Sequence, residues 1–161
     1  MASPKSYKIT FKNNATEKEA KNLVLSSDHR FMDPDLESRK KIMALLGIES
    51  RFGRAFDLVF AEDRVDSSSS YLFEDPRALT LVEIKSTKKP LSNNPYGFFF
   101  GATENEFDLA RQMGDQYRFC FVSLHPETTG YSLVSLPDLE SMIKSKRTQY
   151  QINLKNSSSE L

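Results

Sequence analysis

Leu79-Thr80-Leu81-Val82-Glu83-Ile84-Lys85 is a nearly continuous apolar run that ends in two charges. A short apolar run with β-branched residues reads as a buried strand. Charges inside such an element are costly unless they are paired or bound to a metal. Glu83 and Lys85 are two residues apart, so both project from one face of the strand, and Ile84 points to the other. Upstream, Ala55-Phe56-Asp57-Leu58-Val59-Phe60 reads as a second strand with one acid inside it. If the two strands pair, Asp57 lies beside Glu83. Two converging carboxylates repel unless a cation lies between them. Oxygen donors without sulfur or imidazole suit Mg²⁺, with Mn²⁺ as the alternative. With the Lys85 ammonium nearby, these are the parts for metal-assisted attack of water on a phosphodiester.

The rest of the chain frames these strands. Before them, Tyr7, Ile9 and Phe11 alternate in a polar stretch that reads as an edge strand or arm. Thr16-Glu17-Lys18-Glu19 then reads as a capped helix start, with Ala20, Leu23 and Val24 as its apolar face. Asp33-Pro34 reads as a second start, with Leu36, Ile42, Met43, Leu45 and Leu46 following and Gly47 closing the helix. After the first strand, residues 62–75 read as a long exposed turn. After Lys85 come a loop over 88–95, a third strand over 96–101 and a helix from Glu104 to about Met113 capped by Thr103. A strand over 117–124, a turn at 126–130, a strand over 131–136, a short helix over 137–144 and a last strand over 150–154 complete the order. Three strands with short links predict a meander, and the helix over 104–113 then crosses to the strand at 117–124. The expectation is an α/β (α+β) domain with a central mixed β-sheet flanked by helices. It is a single domain over residues 1–155, with a frayed tail at 156–161.

Composition bounds the function. The chain has 161 residues, 22 Lys plus Arg against 22 Asp plus Glu, and one cysteine. One domain is expected from the length. A zero net charge argues against coating nucleic acid by bulk charge, so an anionic partner needs a local basic patch. Cys120 alone can form neither an intrachain disulfide nor a cysteine-based zinc site. His29 and His125 are far apart and have no ligand-like spacing. No apolar run has the length of a membrane span or of a secretory signal, so a cytoplasmic protein is expected.

Asp57, then some twenty-five residues, then Glu83-Ile84-Lys85 resembles the core motif of the PD-(D/E)XK nuclease superfamily. Apolar residues flank the motif as that family requires, with Phe56, Leu58 and Val59 around the acid and Leu81 and Val82 before Glu83. Phe56 stands where the motif's name has Pro. The resemblance covers residues 34–124 and implies the restriction-endonuclease-like α-β-β-β-α-β core. It implies that Asp57 and Glu83 bind the metal, with the Ile84 carbonyl as a further ligand, and that Lys85 positions or activates the attacking water. An acid on the first core helix, Glu37, and a polar residue on the following helix, Gln112 with Asn105 or Glu106 as competitors, are implied to support the site.

Lys88 and Lys89 just after the motif, and Arg51 and Arg54 just before the first strand, are the candidate phosphate contacts. Phe98, Phe99 and Phe100 cannot all face the core of one strand, so at least one faces outward. The expected function is a Mg²⁺-dependent endonuclease acting on DNA rather than RNA, of restriction, homing or junction/repair type. Cutting both strands with one site per chain calls for a homodimer or a higher homo-oligomer. The alternatives are a non-catalytic nucleic-acid-binding or assembly module with the same fold, and an unrelated α+β interaction domain.

Overall fold

The computed structural model describes residues 4–65 and 75–158, with side chains from residue 15 onward. The expected exposed turn at 62–75 falls largely outside the described residues. The described chain is a mixed α/β structure with four α-helices and a five-stranded sheet. In chain order the elements are α1 (Pro4–Ser27), β1 (Phe31–Met32), α2 (Leu36–Leu46), β2 (Leu58–Ala61), β3 (Leu79–Thr87), α3 (Glu104–Met113), β4 (Tyr117–Ser123), β5 (Gly130–Val134) and α4 (Leu136–Met142).

Spatial order follows chain order, β1 through β5. The β2–β3 pair is antiparallel with Leu58 opposite Val82, and β3–β4 is parallel with Glu83 opposite Phe119. A parallel pair needs a long crossover, and α3 supplies it, as the sequence leads one to expect. Period-two alternation sends successive side chains to opposite faces. On one face Leu79, Leu81, Phe119 and Phe121 pack with Ile42 and Met43 of α2, Leu109 of α3 and Leu139 of α4. On the other, Val82, Ile84, Cys120 and Val122 pack with Ala20 and Val24 of α1. The sheet is thus sandwiched between α1 and the other three helices.

Several local expectations are corrected. Residues 4–15 continue α1 as helix rather than forming an edge strand, and Thr16 lies inside that helix. The stretch carries Lys5, Lys8 and Lys12, and Lys favours helix over strand. The cap of α2 is Asp35, not Asp33: its carboxylate accepts from the Ser38 N–H at 2.8 Å. Gly47 does close α2, at φ 68°, where a side chain would be strained.

The third strand of the meander is absent at 96–101. Because β4 takes the β3 edge that such a strand would need, residues 96–101 form an irregular segment instead. Gly97 turns that segment at φ 88°. It is pinned by the Phe98 and Phe100 rings against Phe121 at 4.9 and 5.0 Å. Residues 150–154 are also not a strand, and all of them are exposed. An unforeseen two-residue strand, β1, pairs with Phe60 and Val59. No helix among the described residues is long and apolar enough to cross a membrane.

Candidate functional site

Asp57 sits one residue before β2, and the β2–β3 register carried one step further puts it opposite Glu83. Its N–H donates to the Val82 carbonyl at 2.8 Å, and its Oδ2 accepts the Ile84 N–H at 2.8 Å. The Asp57 carboxylate therefore takes the place of the backbone partner that β3 loses where β2 starts. In a strand the N–H and C=O of one residue point to the same side, so the Ile84 carbonyl faces this notch too. Glu83 and Lys85 project from the same face of β3, as their spacing requires.

Lys85 lies between two acids. Its Nζ is 3.2 Å from Glu83 Oε2 and 2.5 Å from Glu106 Oε1, and all three side chains are nearly buried. The other oxygen of Glu106 accepts from the Thr103 N–H at 3.0 Å and from Thr103 Oγ1 at 2.8 Å. One side chain thus closes the capping box that starts α3 and holds the ammonium. Burial opposes the charge on Glu106, but the Lys85 ammonium prevails and holds its carboxyl below the usual range. Burial likewise disfavours the Lys85 charge, yet the two carboxylates raise its affinity for the proton. Glu83 goes the other way: burial first, then the Asp57 charge, pushes its carboxyl up to about 10.

Arg39 of α2 braces the Asp57 segment. Its guanidinium donates to the carbonyls of Phe56 at 2.7 Å, Asp57 at 3.1 Å and Gly53 at 3.3 Å. It also lies 4.3 Å from the centre of the Phe56 ring. Hydrogen bonds from a charged donor are worth about 1.5–3 kcal/mol each. Arg39→Gln is therefore expected to cost about 2 kcal/mol of stability, read by urea denaturation, and to loosen Asp57. A cost within experimental error would show that the segment holds itself.

These groups open onto a cleft of about 710 Å³ lined by Asp57, Glu83, Ile84 and Lys85, by α1 through Lys18 and Lys21, and by Phe99 across from them. Lys21 is 3.7 Å from Asp33, which lines the cleft as well. Phe99 is 90% exposed, whereas Phe98 and Phe100 pack inward, so the triplet is split as expected.

The sequence candidates thus separate. Asp57, Glu83, Ile84 and Lys85 come together, and of the competitors on α3 it is Glu106 that joins them. Gln112 is exposed and lines a different hollow, with Leu45 and Gln116. Asn105 is exposed and pairs with Arg51. Glu37 is exposed in the first turn of α2 and does not line the cleft. Arg39, not Glu37, is the α2 residue that reaches the site. Its position three before Ile42 and four before Met43 puts it on the buried stripe.

None of the four expected phosphate contacts lines the cleft. Lys88, Lys89 and Arg54 are exposed elsewhere. Arg51 is held by Glu49 at 3.1 Å and Asp108 at 3.8 Å. The cleft lysines, Lys18 and Lys21, went unforeseen. Lys18 is exposed and Lys21, three residues before Val24, flanks the buried stripe of α1, and a charged residue at such positions first reads as solvated. Cys120 is buried beneath α1, and burial pushes its thiol up to about 12, which leaves it unreactive.

Among the described residues no group of three or more His, Cys, Asp or Glu side chains gathers in a metal-ligating cluster. The available donors are two carboxylates and one carbonyl. Glu83 Oε1 is buried and has no hydrogen-bond partner. Such an orphaned acceptor beside a second carboxylate is a donor set that fits a hard divalent cation. Mg²⁺ typically takes one or two carboxylates and keeps its remaining positions for water and phosphate. Comparison with models of known families, with curated proteins and with solved structures finds no match to this chain.

Proposed function

We propose that the chain is a Mg²⁺-dependent DNA endonuclease with a restriction-endonuclease-like core. The observation that carries the reading is the juxtaposition of Asp57 and the orphaned Glu83 oxygen at the open notch of β3, with Lys85 on the same face. The order α2, β2, β3, α3, β4 supports it, with the third strand of the expected core missing among the described residues.

Asp57, Glu83 and the Ile84 carbonyl would hold the metal, Mg²⁺ or else Mn²⁺, which when bound supplies Lewis-acid activation of the scissile phosphate and of water. Lys85, kept protonated by its two carboxylate neighbours, donates to the attacking water or to a phosphate oxygen and offsets the developing charge. A firmly protonated ammonium is not a general base, so its role is orientation and electrostatics. Glu106 fixes the Lys85 ammonium. Lys18 on the cleft wall supplies a phosphate contact, so substrate binding weakens with salt. Cleavage of both strands of a duplex would use a homodimer.

The test is incubation with supercoiled plasmid and with linear and branched oligonucleotides in Mg²⁺. Cleavage is expected, with at least a hundredfold loss in Lys85→Ala, on the order of the loss on removing one transition-state donor, and complete loss in EDTA. Cleavage unaffected by Lys85→Ala would dismiss this site.

One observation favours a second reading. The Lys85 ammonium is already engaged by two carboxylates, as in a purely structural triad. A non-catalytic nucleic-acid-binding module would bind the same oligonucleotides in a salt-sensitive way and cut none.

A further inference from the structure

The C-terminal segment is exposed from residue 143 to residue 158. Tyr150, Ile152 and Leu154 are 81, 76 and 85% exposed, and Gln151, Asn153 and Lys155 alternate with them. Large apolar side chains at a period of two, with polar residues between, are the pattern of a half-buried strand. Here all three stand largely in solvent. Within the single chain the Lys146 ammonium lies 5.0 Å from the centre of the Phe107 ring on α3.

Among the described residues β5 pairs with β4 alone and ends the sheet. An open edge presents unpaired backbone groups to any extended chain. The β5 residues Tyr131 and Leu133 sit opposite Val122 and Cys120, on the α1 side, and Leu133 is 43% exposed. A strand laid beyond β5 with three apolar side chains on that face would cover it. Tyr150–Leu154 matches in length the five residues of β5.

Charge matches as well. Residues 119–143 carry Glu127, Asp138 and Glu140 and no Lys or Arg. Residues 144–155 carry Lys144, Lys146, Arg147 and Lys155 and no Asp or Glu.

We propose that residues 144–155 of one chain add a strand to the β5 edge of a second copy of this chain, and that the exchange is reciprocal. A reciprocal exchange is a closed two-fold arrangement and stops at the dimer. The inference concerns how two copies meet and stands whether or not the chain cuts nucleic acid.

Size-exclusion chromatography with light scattering tests it. The wild-type protein is expected at the mass of two chains. Ile152→Asp with Leu154→Asp, on the arm, and Leu133→Asp, on the acceptor, are each expected at the mass of one chain. Removal of residues 149–161 is expected to give a monomer that keeps a cooperative melt, because none of the described residues of that segment belongs to the core. A wild-type monomer would overturn the proposal, and so would a dimer that survives both sets of changes. A monomer that loses only oligonucleotide binding on truncation would overturn it too, and would assign the basic arm to nucleic acid.

Discussion

Lys85→Met is expected to destabilise the folded chain by about 3–5 kcal/mol, the usual cost of removing one partner from a buried ion pair. Lys85 lies between Glu83 and Glu106, with side-chain exposures of only 11, 9 and 7%. Removing the ammonium leaves the buried Glu106 carboxylate to stay charged without a partner or take up a proton, beside a Glu83 carboxyl that burial already holds toward its protonated form. Glu106 has the most to lose, because the ammonium holds its carboxyl below the usual range. The double variant Lys85→Met with Glu106→Gln should recover a large part of the loss. Gln still closes the capping box on Thr103 and brings no charge. Residues in direct contact are not expected to be additive, and the size of the recovery measures their coupling. Denaturant melts of the two singles and the double settle the matter. A single variant that costs less than about 1 kcal/mol would mean that the triad is solvated and worth no more than a surface pair.

The elements that carry the site were readable because their signals are local. β3 is the apolar run over 79–85 extended by two residues, the Thr103 capping box starts α3, and Gly47 ends α2. Side-chain alternation alone put Glu83 and Lys85 on one face. The expectation that Asp57 would lie beside Glu83 needed only that two neighbouring strands pair, and they do.

What failed depends on competition between distant segments. Residues 96–101 have the aromatic content of a strand, but β4 occupies the edge they would need. Tyr7, Ile9 and Phe11 alternate as a strand would, yet the helix of α1 runs through them. Residues 150–154 have strand periodicity and lie outside the sheet of a single chain. Glu37 and Gln112 were chosen by resemblance, and both lie off the buried stripes of their helices. On α2 that stripe passes through Arg39, Ile42 and Met43, and on α3 through Glu106, Leu109 and Ala110. Helical periodicity alone would have favoured Arg39 and Glu106. The Lys18 and Lys21 wall rests on where α1 crosses the sheet, and no local signal sets that crossing.

In metal-free protein, stability should fall as pH rises above the ordinary glutamate range, and Glu83→Gln should remove that fall. Burial and the neighbouring Asp57 charge push the Glu83 carboxyl up to about 10, against roughly 4.3 in an unfolded chain. Between those values the native state binds more protons than the unfolded state. The contribution is therefore whole below the unfolded value and is lost as pH climbs toward the folded one, at no more than about 1.4 kcal/mol per pH unit. The neighbours do not cancel this near neutrality. The raised proton affinity of Lys85 stabilises the fold until pH passes its unfolded value of about 10.4. The lowered one of Glu106 is in place above its unfolded value and is lost only in acid. From about pH 6 to pH 9, then, Glu83 is the member of the triad that tilts the curve. Guanidinium melts in EDTA across that range measure the tilt, and a level wild-type profile would mean that Glu83 is ionised and solvated. Mg²⁺ should remove the same tilt, because a carboxylate must lose its proton to bind the ion. At a hundred times its dissociation constant it should add about 2.7 kcal/mol, and Glu83→Gln should lose most of that gain. A tilt that Mg²⁺ leaves untouched would keep the buried proton and remove the metal, and with it the nuclease reading.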